Sequence, residues 1–213
     1  MDIRDIKLKV CGMRDEENIL QLTALKPDYM GFIFYKKSQR YAEPLSIKLL
    51  SSLPKSIRKT GVFVDASIEE VKEKITTYQL DAVQLHGNES PEYCAELKQY
   101  SPEVIKAFGI DNYFDFNILN SYDAVCDYFL FDTKTEQHGG SGQLFNWDLL
   151  KQYTLPKPYF LSGGLNLESA KGILSIEDAR LYALDLNSRF ETAPGMKDIQ
   201  KLQSFFNAIK IPA

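Results

Sequence analysis

Short, nearly continuous apolar runs alternate with amphipathic segments along the whole chain. Because apolar side chains fill successive positions of a run rather than alternate ones, each strand is expected to be covered on both faces, as in a parallel sheet. The runs predict eight strands, at 7–11, 29–35, 60–65, 81–86, 104–109, 128–132, 158–162 and 181–186.

The segments between the runs carry helix signals. Asp15 and Glu16 begin one segment, where negative charge suits a helix amino terminus, and Ser67 with Glu70 has the spacing of a capping box. Ser90 precedes a helix that opens on a proline. The predicted helices are 15–25, 45–52, one starting after Ser67, 91–97, 112–119, 147–152, 166–174 and 197–208.

Eight βα repeats in 213 residues predict an α/β fold, a parallel (β/α)8 barrel closed on itself. An open, doubly wound sheet is the alternative. No linker, low-complexity tract or change of composition divides the chain, so residues 1–213 are expected to form a single domain.

Composition narrows the class of protein. The net charge is −4 with scattered basic residues, which argues against a nucleic-acid partner. No apolar run approaches the roughly 20 residues of a membrane span, and the polar amino terminus has no signal-peptide core. The three cysteines, at 11, 94 and 126, are an odd number without CxxC spacing. We therefore expect no disulfide framework, no zinc site and a cytoplasmic location, while a monomer and a homodimer both stay open.

Chemistry in such barrels is carried by residues at the carboxyl ends of the strands. Cys11 ends the first run and Asp132 ends the sixth, so a thiol and a carboxyl are expected to face one another as base and acid. Cys11 would have to ionise, which burial opposes and a nearby cation such as Lys9 or Arg40 favours. Lys9 shares a strand face with Cys11, and Asp185 is its expected partner.

The ends of the last two strands have the composition of a phosphate site. Gly163 and Gly164 follow the seventh run, and Asn187 and Ser188 follow the eighth. Glycines let backbone N–H groups approach an anion closely. Arg189 is placed to add a charge-assisted contact. A small phosphorylated molecule is therefore the expected ligand.

Six segments, in order along essentially the whole chain, resemble the phosphoribosylanthranilate isomerase family. They are 9–12, 31–34 with 38–41, 61–64, 83–87, 132–134 with 139–142, and 161–165. The resemblance implies a cofactor-free and metal-free Amadori rearrangement of N-(5-phosphoribosyl)anthranilate to 1-(2-carboxyphenylamino)-1-deoxyribulose 5-phosphate. That reaction is the third step of tryptophan synthesis from chorismate.

The resemblance also implies roles for individual residues. It makes Cys11 the general base and Asp132 the general acid, and it places Arg40 against the anthranilate carboxylate. The family's phosphate loops fall on Gly163–Gly164 and Asn187–Ser188. Arg189 departs from the pattern, since it stands where the family often has a glycine.

Three further residues are candidates to line the substrate. His86 ends the fourth run without an evident carboxylate partner, so a packing or substrate-edge role is favoured over catalysis. Gly140 and Ser141 belong to a glycine-rich loop that is expected to close over the substrate and exclude water.

Four alternatives stay open. The histidine-pathway Amadori isomerase resembles this pattern but has aspartates at both catalytic strand ends. Indole-glycerol-phosphate synthase is expected to carry lysines and glutamates there, and ribulose-phosphate epimerase needs a metal bound by His and Asp. The fourth is a sugar-phosphate-binding barrel without catalytic activity.

Overall fold

The computed structural model describes residues 6–101, 103–134 and 146–210. Eight parallel strands pair in chain order and close on themselves through β1 and β8, with Lys9 opposite Asp185. The predicted barrel is confirmed and the open sheet is wrong. The strands are β1 Lys7–Cys11, β2 Tyr29–Ile33, β3 Arg58–Phe63, β4 Ala82–Leu85, β5 Val104–Ile110, β6 Tyr128–Thr133, β7 Tyr159–Leu161 and β8 Leu181–Leu186.

Helices connect the strands on the outside of the barrel. Side-chain caps start several of them, since Asp15, Ser67 and Ser90 each accept a hydrogen bond from a backbone N–H three residues later. The α-helices are α1 Glu16–Ala24, α2 Ile47–Ser52, α3 Ile68–Tyr78, α4 Pro91–Leu97, α5 Ala170–Leu174 and α6 Ile199–Lys210.

Three connections differ from the prediction. The helix expected at 112–119 is a 3₁₀ helix at Phe116–Tyr122, since the Asp115 side chain caps the backbone at Asn117 and the preceding residues have poor helix propensity. Trp147–Gln152 is also a 3₁₀ helix. The segment predicted at 166–174 becomes α-helical only at Ala170.

A short antiparallel hairpin that the pattern did not predict follows β8. A 3₁₀ helix at Ser188–Phe190 leads into β9 Glu191–Ala193 and β10 Met196–Lys197. The buried Asn18 of α1 fastens the hairpin, since its side-chain oxygen accepts from Lys197 N at 2.7 Å and its nitrogen donates to Lys197 O at 2.9 Å. The hairpin is thereby tied to the first helix, beside the carboxyl end of β1.

Two apolar clusters form the core. The larger lies between the strands and the surrounding helices. The smaller fills the barrel interior toward the amino-terminal ends of the strands, where Tyr29 and Phe160 pack edge to face at 5.3 Å between ring centroids. The polar side chains Lys9 and Asp185 are also buried. Within the part of the chain described, no helix is long and apolar enough to cross a membrane.

Candidate active site

One cleft at the carboxyl ends of the strands gathers the predicted site residues. Its volume, measured with the open space at its mouth, is about 850 Å³. The cleft is lined by all nine of the predicted residues that the structure describes: Cys11, Arg40, His86, Asp132, Gly163, Gly164, Asn187, Ser188 and Arg189. Gly140 and Ser141 lie outside the described residues.

Cys11 reaches the cleft because its neighbour on β2 has no side chain. Gly31 pairs with Cys11, and a Cβ added at Gly31 would lie 2.8 Å from Cys11 Sγ and 3.1 Å from Cys11 Cα. Gly12, which follows, has φ of +81°, and a Cβ there would lie 2.8 Å from Arg40 Cδ. The Arg40 side chain therefore passes directly over the backbone beside Cys11.

The thiol lies beside a buried ion pair. Lys9 Nζ donates to Asp185 Oδ1 at 2.9 Å, so the predicted pairing is confirmed. Burial lowers the pKa of Lys9, but Asp185 and Cys11 outweigh it and leave the pKa above its ordinary value. Lys9 therefore stays a cation next to the thiol.

That cation does not by itself bring Cys11 to its thiolate. Burial raises the pKa of Cys11 above its ordinary value, and Asp185 adds to the rise. Lys9 and Lys197 lower the pKa of Cys11, but the net direction is upward. The protein without substrate therefore holds Cys11 mainly as the thiol at neutral pH.

Asp132 has a histidine neighbour that the sequence pattern did not reveal. Its Oδ2 lies 3.4 Å from His86 Nε2, and its Oδ1 accepts from Thr133 N at 2.8 Å. His86 Nδ1 lies 2.9 Å from Gln84 Nε2, which orients the ring from the other side. No carboxylate partner of His86 was evident from the sequence, because residues 86 and 132 meet only when the barrel closes.

The loop after β7 passes close to Asp132 because it begins with glycines. Gly163 and Gly164 have φ of +85° and +69°, and a Cβ at Gly163 would lie 2.3 Å from Thr133 Oγ1 and 3.0 Å from Asp132 Oδ1. Any side chain at 163 would collide with the end of β6. The glycines therefore bring backbone N–H groups to the cleft beside the carboxylate.

The loop after β8 accepts arginine at position 189 without backbone strain. Among the described residues other than glycine, positive φ occurs only at Lys26, Asp65 and Gln79. Arg189 lies in the 3₁₀ helix, its side chain is exposed, and its carbonyl accepts from Lys201 Nζ at 2.6 Å. The glycine often found here in the family is therefore not needed for this loop conformation.

Arg40 is held by Glu191, which is in turn bound by Lys197, and neither residue was among the predicted site residues. Its Nε lies 2.9 Å and 3.0 Å from the two carboxylate oxygens of Glu191, and its Nη2 donates to Glu191 Oε2 at 2.7 Å. Lys197 Nζ donates to Glu191 Oε1 at 2.6 Å and to Asn187 Oδ1 at 2.7 Å. The only sequence signal was the position of Glu191 shortly after β8, and nothing marked Lys197.

The described residues offer no group of three or more His, Cys, Asp or Glu side chains arranged to hold a metal ion. The metal-binding set expected of an epimerase is therefore not found within these ranges.

Comparison with known proteins agrees with this geometry. Residues 8–208 match the family model described as N-(5'phosphoribosyl)anthranilate (PRA) isomerase. An N-(5'-phosphoribosyl)anthranilate isomerase of Parabacteroides distasonis is 46% identical over 208 residues, which cover 97% of this chain and 94% of that protein.

Solved structures give the same result. The phosphoribosyl anthranilate isomerase of Thermotoga maritima superposes with a TM-score of 0.87 at 35% identity, covering 96% of this chain and 98% of the other. A phosphoribosyl anthranilate isomerase in complex with reduced 1-(o-carboxyphenylamino)-1-deoxyribulose 5-phosphate superposes at 0.82, with 31% identity and the same coverage.

Proposed function

Since the chain belongs to the N-(5'-phosphoribosyl)anthranilate (PRA) isomerase family of tryptophan biosynthesis, we propose that it catalyses an Amadori rearrangement with Asp132 as the general acid and Cys11 as the general base. The observation that carries the proposal is the meeting of a thiol, a carboxyl, an arginine and the loops after β7 and β8 in one cleft.

The reaction begins with acid catalysis. Asp132 donates a proton to the furanose ring oxygen, the bond from C1 to that oxygen breaks, and the nitrogen lone pair forms an iminium. Asp132 lies beside His86 Nε2, a group that can return a proton to the carboxyl between turnovers. Gly163 packs against Asp132, which supports a position for the sugar between the end of β6 and the loop after β7.

Base catalysis completes the isomerisation. Cys11 removes the proton from C2, and the electron pair of that bond forms the double bond of an enaminol between C1 and C2. The enaminol then gains a proton at C1 and loses the proton of its C2 hydroxyl, which gives the ketone at C2. The mechanism requires Asp132 to donate a proton and Cys11 to accept one as the thiolate, and the ammonium groups of Lys9 and Lys197 favour that thiolate because each lowers the pKa of Cys11. Each positioned proton transfer contributes typically about 10²–10⁴-fold.

Two anionic ends of the substrate orient it in the cleft. The phosphate is placed at Gly163–Gly164 and Asn187–Ser188, and the anthranilate carboxylate meets Arg40. The Arg40 side chain passes over Gly12, next to Cys11. That adjacency suits the substrate, since the aromatic amine is bonded to C1 and the proton leaves the neighbouring carbon. The reduced product analogue bound to a relative carries both anionic groups.

We also propose a reducing, cytoplasmic setting. All three cysteines are free and buried, which suits a compartment where thiols stay reduced. Cell fractionation tests the location, and sedimentation analysis distinguishes the monomer from the homodimer.

A substrate deuterated at C2 tests the assignment of acid and base. In a Cys11→Ser variant, proton abstraction should limit single turnover and the primary isotope effect should reach its full size. In Asp132→Asn, ring opening should limit and the isotope effect should shrink toward one. A full effect in Asp132→Asn with none in Cys11→Ser would contradict the assignment.

A further inference from the structure

Glu191 is a buried carboxylate with every acceptor site engaged. Its side chain is 5% exposed, and it accepts from Arg40 Nε and Nη2, from Lys197 Nζ and from Gly195 N at 3.1 Å. Burial raises its pKa, but the hydrogen bonds from Arg40 and Lys197 outweigh burial and leave the pKa below its ordinary value. Glu191 is therefore ionised at neutral pH and has no capacity left for a substrate.

The contact selects one edge of the Arg40 guanidinium. A guanidinium binds a carboxylate in two-point fashion along either its Nε–Nη2 edge or its Nη1–Nη2 edge. Glu191 occupies the Nε–Nη2 edge, while Nη1 has no hydrogen-bond partner among residues 6–101, 103–134 and 146–210. The edge that remains for a ligand is the one formed by Nη1 and Nη2.

Glu191 is itself held from a second direction. Lys197 is fully buried and bridges Glu191 to Asn187, and its own backbone is clamped by the Asn18 side chain of α1. Arg40 is exposed on 16% of its side chain and Lys197 not at all. Two cations and one anion leave a net positive charge, and Arg40 is the member of the three that the cleft exposes.

We propose that Glu191 is a positioning residue, which fixes Arg40 so that its Nη1–Nη2 edge receives the anthranilate carboxylate. The inference rests on the proposed role of Arg40. Glu191 touches no reacting atom, and its effect reaches the substrate only through the guanidinium. Through Lys197 and Asn187, the same hairpin ties the carboxylate end of the site to the phosphate end.

The test compares two ligands that differ by one carboxylate. One is reduced 1-(o-carboxyphenylamino)-1-deoxyribulose 5-phosphate, and the other is its phenylamino counterpart without the carboxylate. In Glu191→Gln, calorimetry should show affinity for the first falling by about 10- to 100-fold, the usual range for a hydrogen bond to a charged group. Affinity for the second should stay within about twofold, which also shows that the variant is folded.

Three further variants keep the inference separable from the role of Arg40. Arg40→Met should lose the carboxylate-dependent affinity, and adding Glu191→Gln to it should change nothing more. Glu191→Asp, which retains the charge but is one methylene shorter, should show a smaller loss confined to the carboxylate ligand.

The remaining outcomes overturn one or both assignments. Equal losses for both ligands in Glu191→Gln and Glu191→Asp, with native circular dichroism, would make Glu191 merely structural. A loss in Arg40→Met without a loss in Glu191→Gln would overturn the positioning role alone. No loss in Arg40→Met would overturn the role of Arg40 and the inference together.

Discussion

A methyl group added at Gly31 should displace the Cys11 thiol. In Gly31→Ala the new Cβ would lie 2.8 Å from Cys11 Sγ and must move to at least 3.4 Å for ordinary contact. Rotation of the thiol does not relieve the clash, because Cys11 Cα lies 3.1 Å away and belongs to the barrel backbone. The thiol must therefore shift by about 0.6 Å, and since a misplacement of 1 Å costs on the order of 10²-fold in rate, kcat should fall by about 10- to 100-fold.

A matched variant separates this effect from general overpacking. In Gly61→Ala, on β3, the new Cβ would lie 2.6 Å from Leu80 Cδ1 and 2.7 Å from Phe63 Cε2, outside the cleft. Both variants should lose about 1–3 kcal/mol of stability, which lowers Tm by about 2–4 °C per kcal/mol in a chain of this size.

The assay follows the loss of substrate fluorescence at saturating substrate, which gives kcat, with Tm measured on the same samples. Gly61→Ala should keep kcat within about twofold of the parent enzyme, since its strain falls on the core alone. A Gly31→Ala enzyme with unchanged kcat, or equal losses of kcat in both variants, would refute the reasoning that Cys11 must occupy this position.

Three other predictions follow from the same geometry. In Asp132→Asn, the residual kcat/KM depends only on the fraction of Cys11 present as thiolate. Because burial raises the pKa of Cys11 above its ordinary 9.0, kcat/KM should still rise about tenfold per pH unit beyond pH 9. A plateau at lower pH would contradict this. Lys9→Met leaves Asp185 buried without its partner and should lower the free energy of unfolding, measured with denaturant, by about 3–5 kcal/mol. The double variant Lys9→Met/Asp185→Leu should recover most of that loss, and equal losses in the two variants would refute the pairing argument. Turnover should be unchanged by a chelator such as EDTA, and strict metal dependence would contradict the acid–base mechanism.

The fold could be predicted because its signals are local. Continuous apolar runs such as Tyr29–Ile33 have few ways to be covered on both faces, and eight of them in a parallel arrangement favour closure. The helix predicted at 112–119 was wrong in position and type, since a 3₁₀ helix forms at Phe116–Tyr122 instead. The Asp115 side-chain cap and packing determine where it begins, because helix propensity is weak in this segment.

Much of the candidate site could also be predicted, because barrel topology brings strand ends together. Cys11 and Asp132 were identified from their positions at the ends of two apolar runs. The contacts of Arg40 with Glu191 and of His86 with Asp132 were not, because both join residues far apart in sequence. The burial of Lys197 could not be predicted either, since a lysine in a polar segment is usually exposed. Lys197 is buried only because it lies in the hairpin that the Asn18 side chain binds.

The most direct test of the acid–base pair is single-turnover kinetics on Cys11→Ala and Asp132→Asn, with enzyme in excess of both the substrate and its measured Kd. Each variant should bind the reduced product analogue with near-parent affinity and turn over at least about 100-fold more slowly, as expected when a positioned proton donor or acceptor is removed. Near-normal turnover in either variant would contradict the central claim that Cys11 and Asp132 are the base and the acid of this reaction.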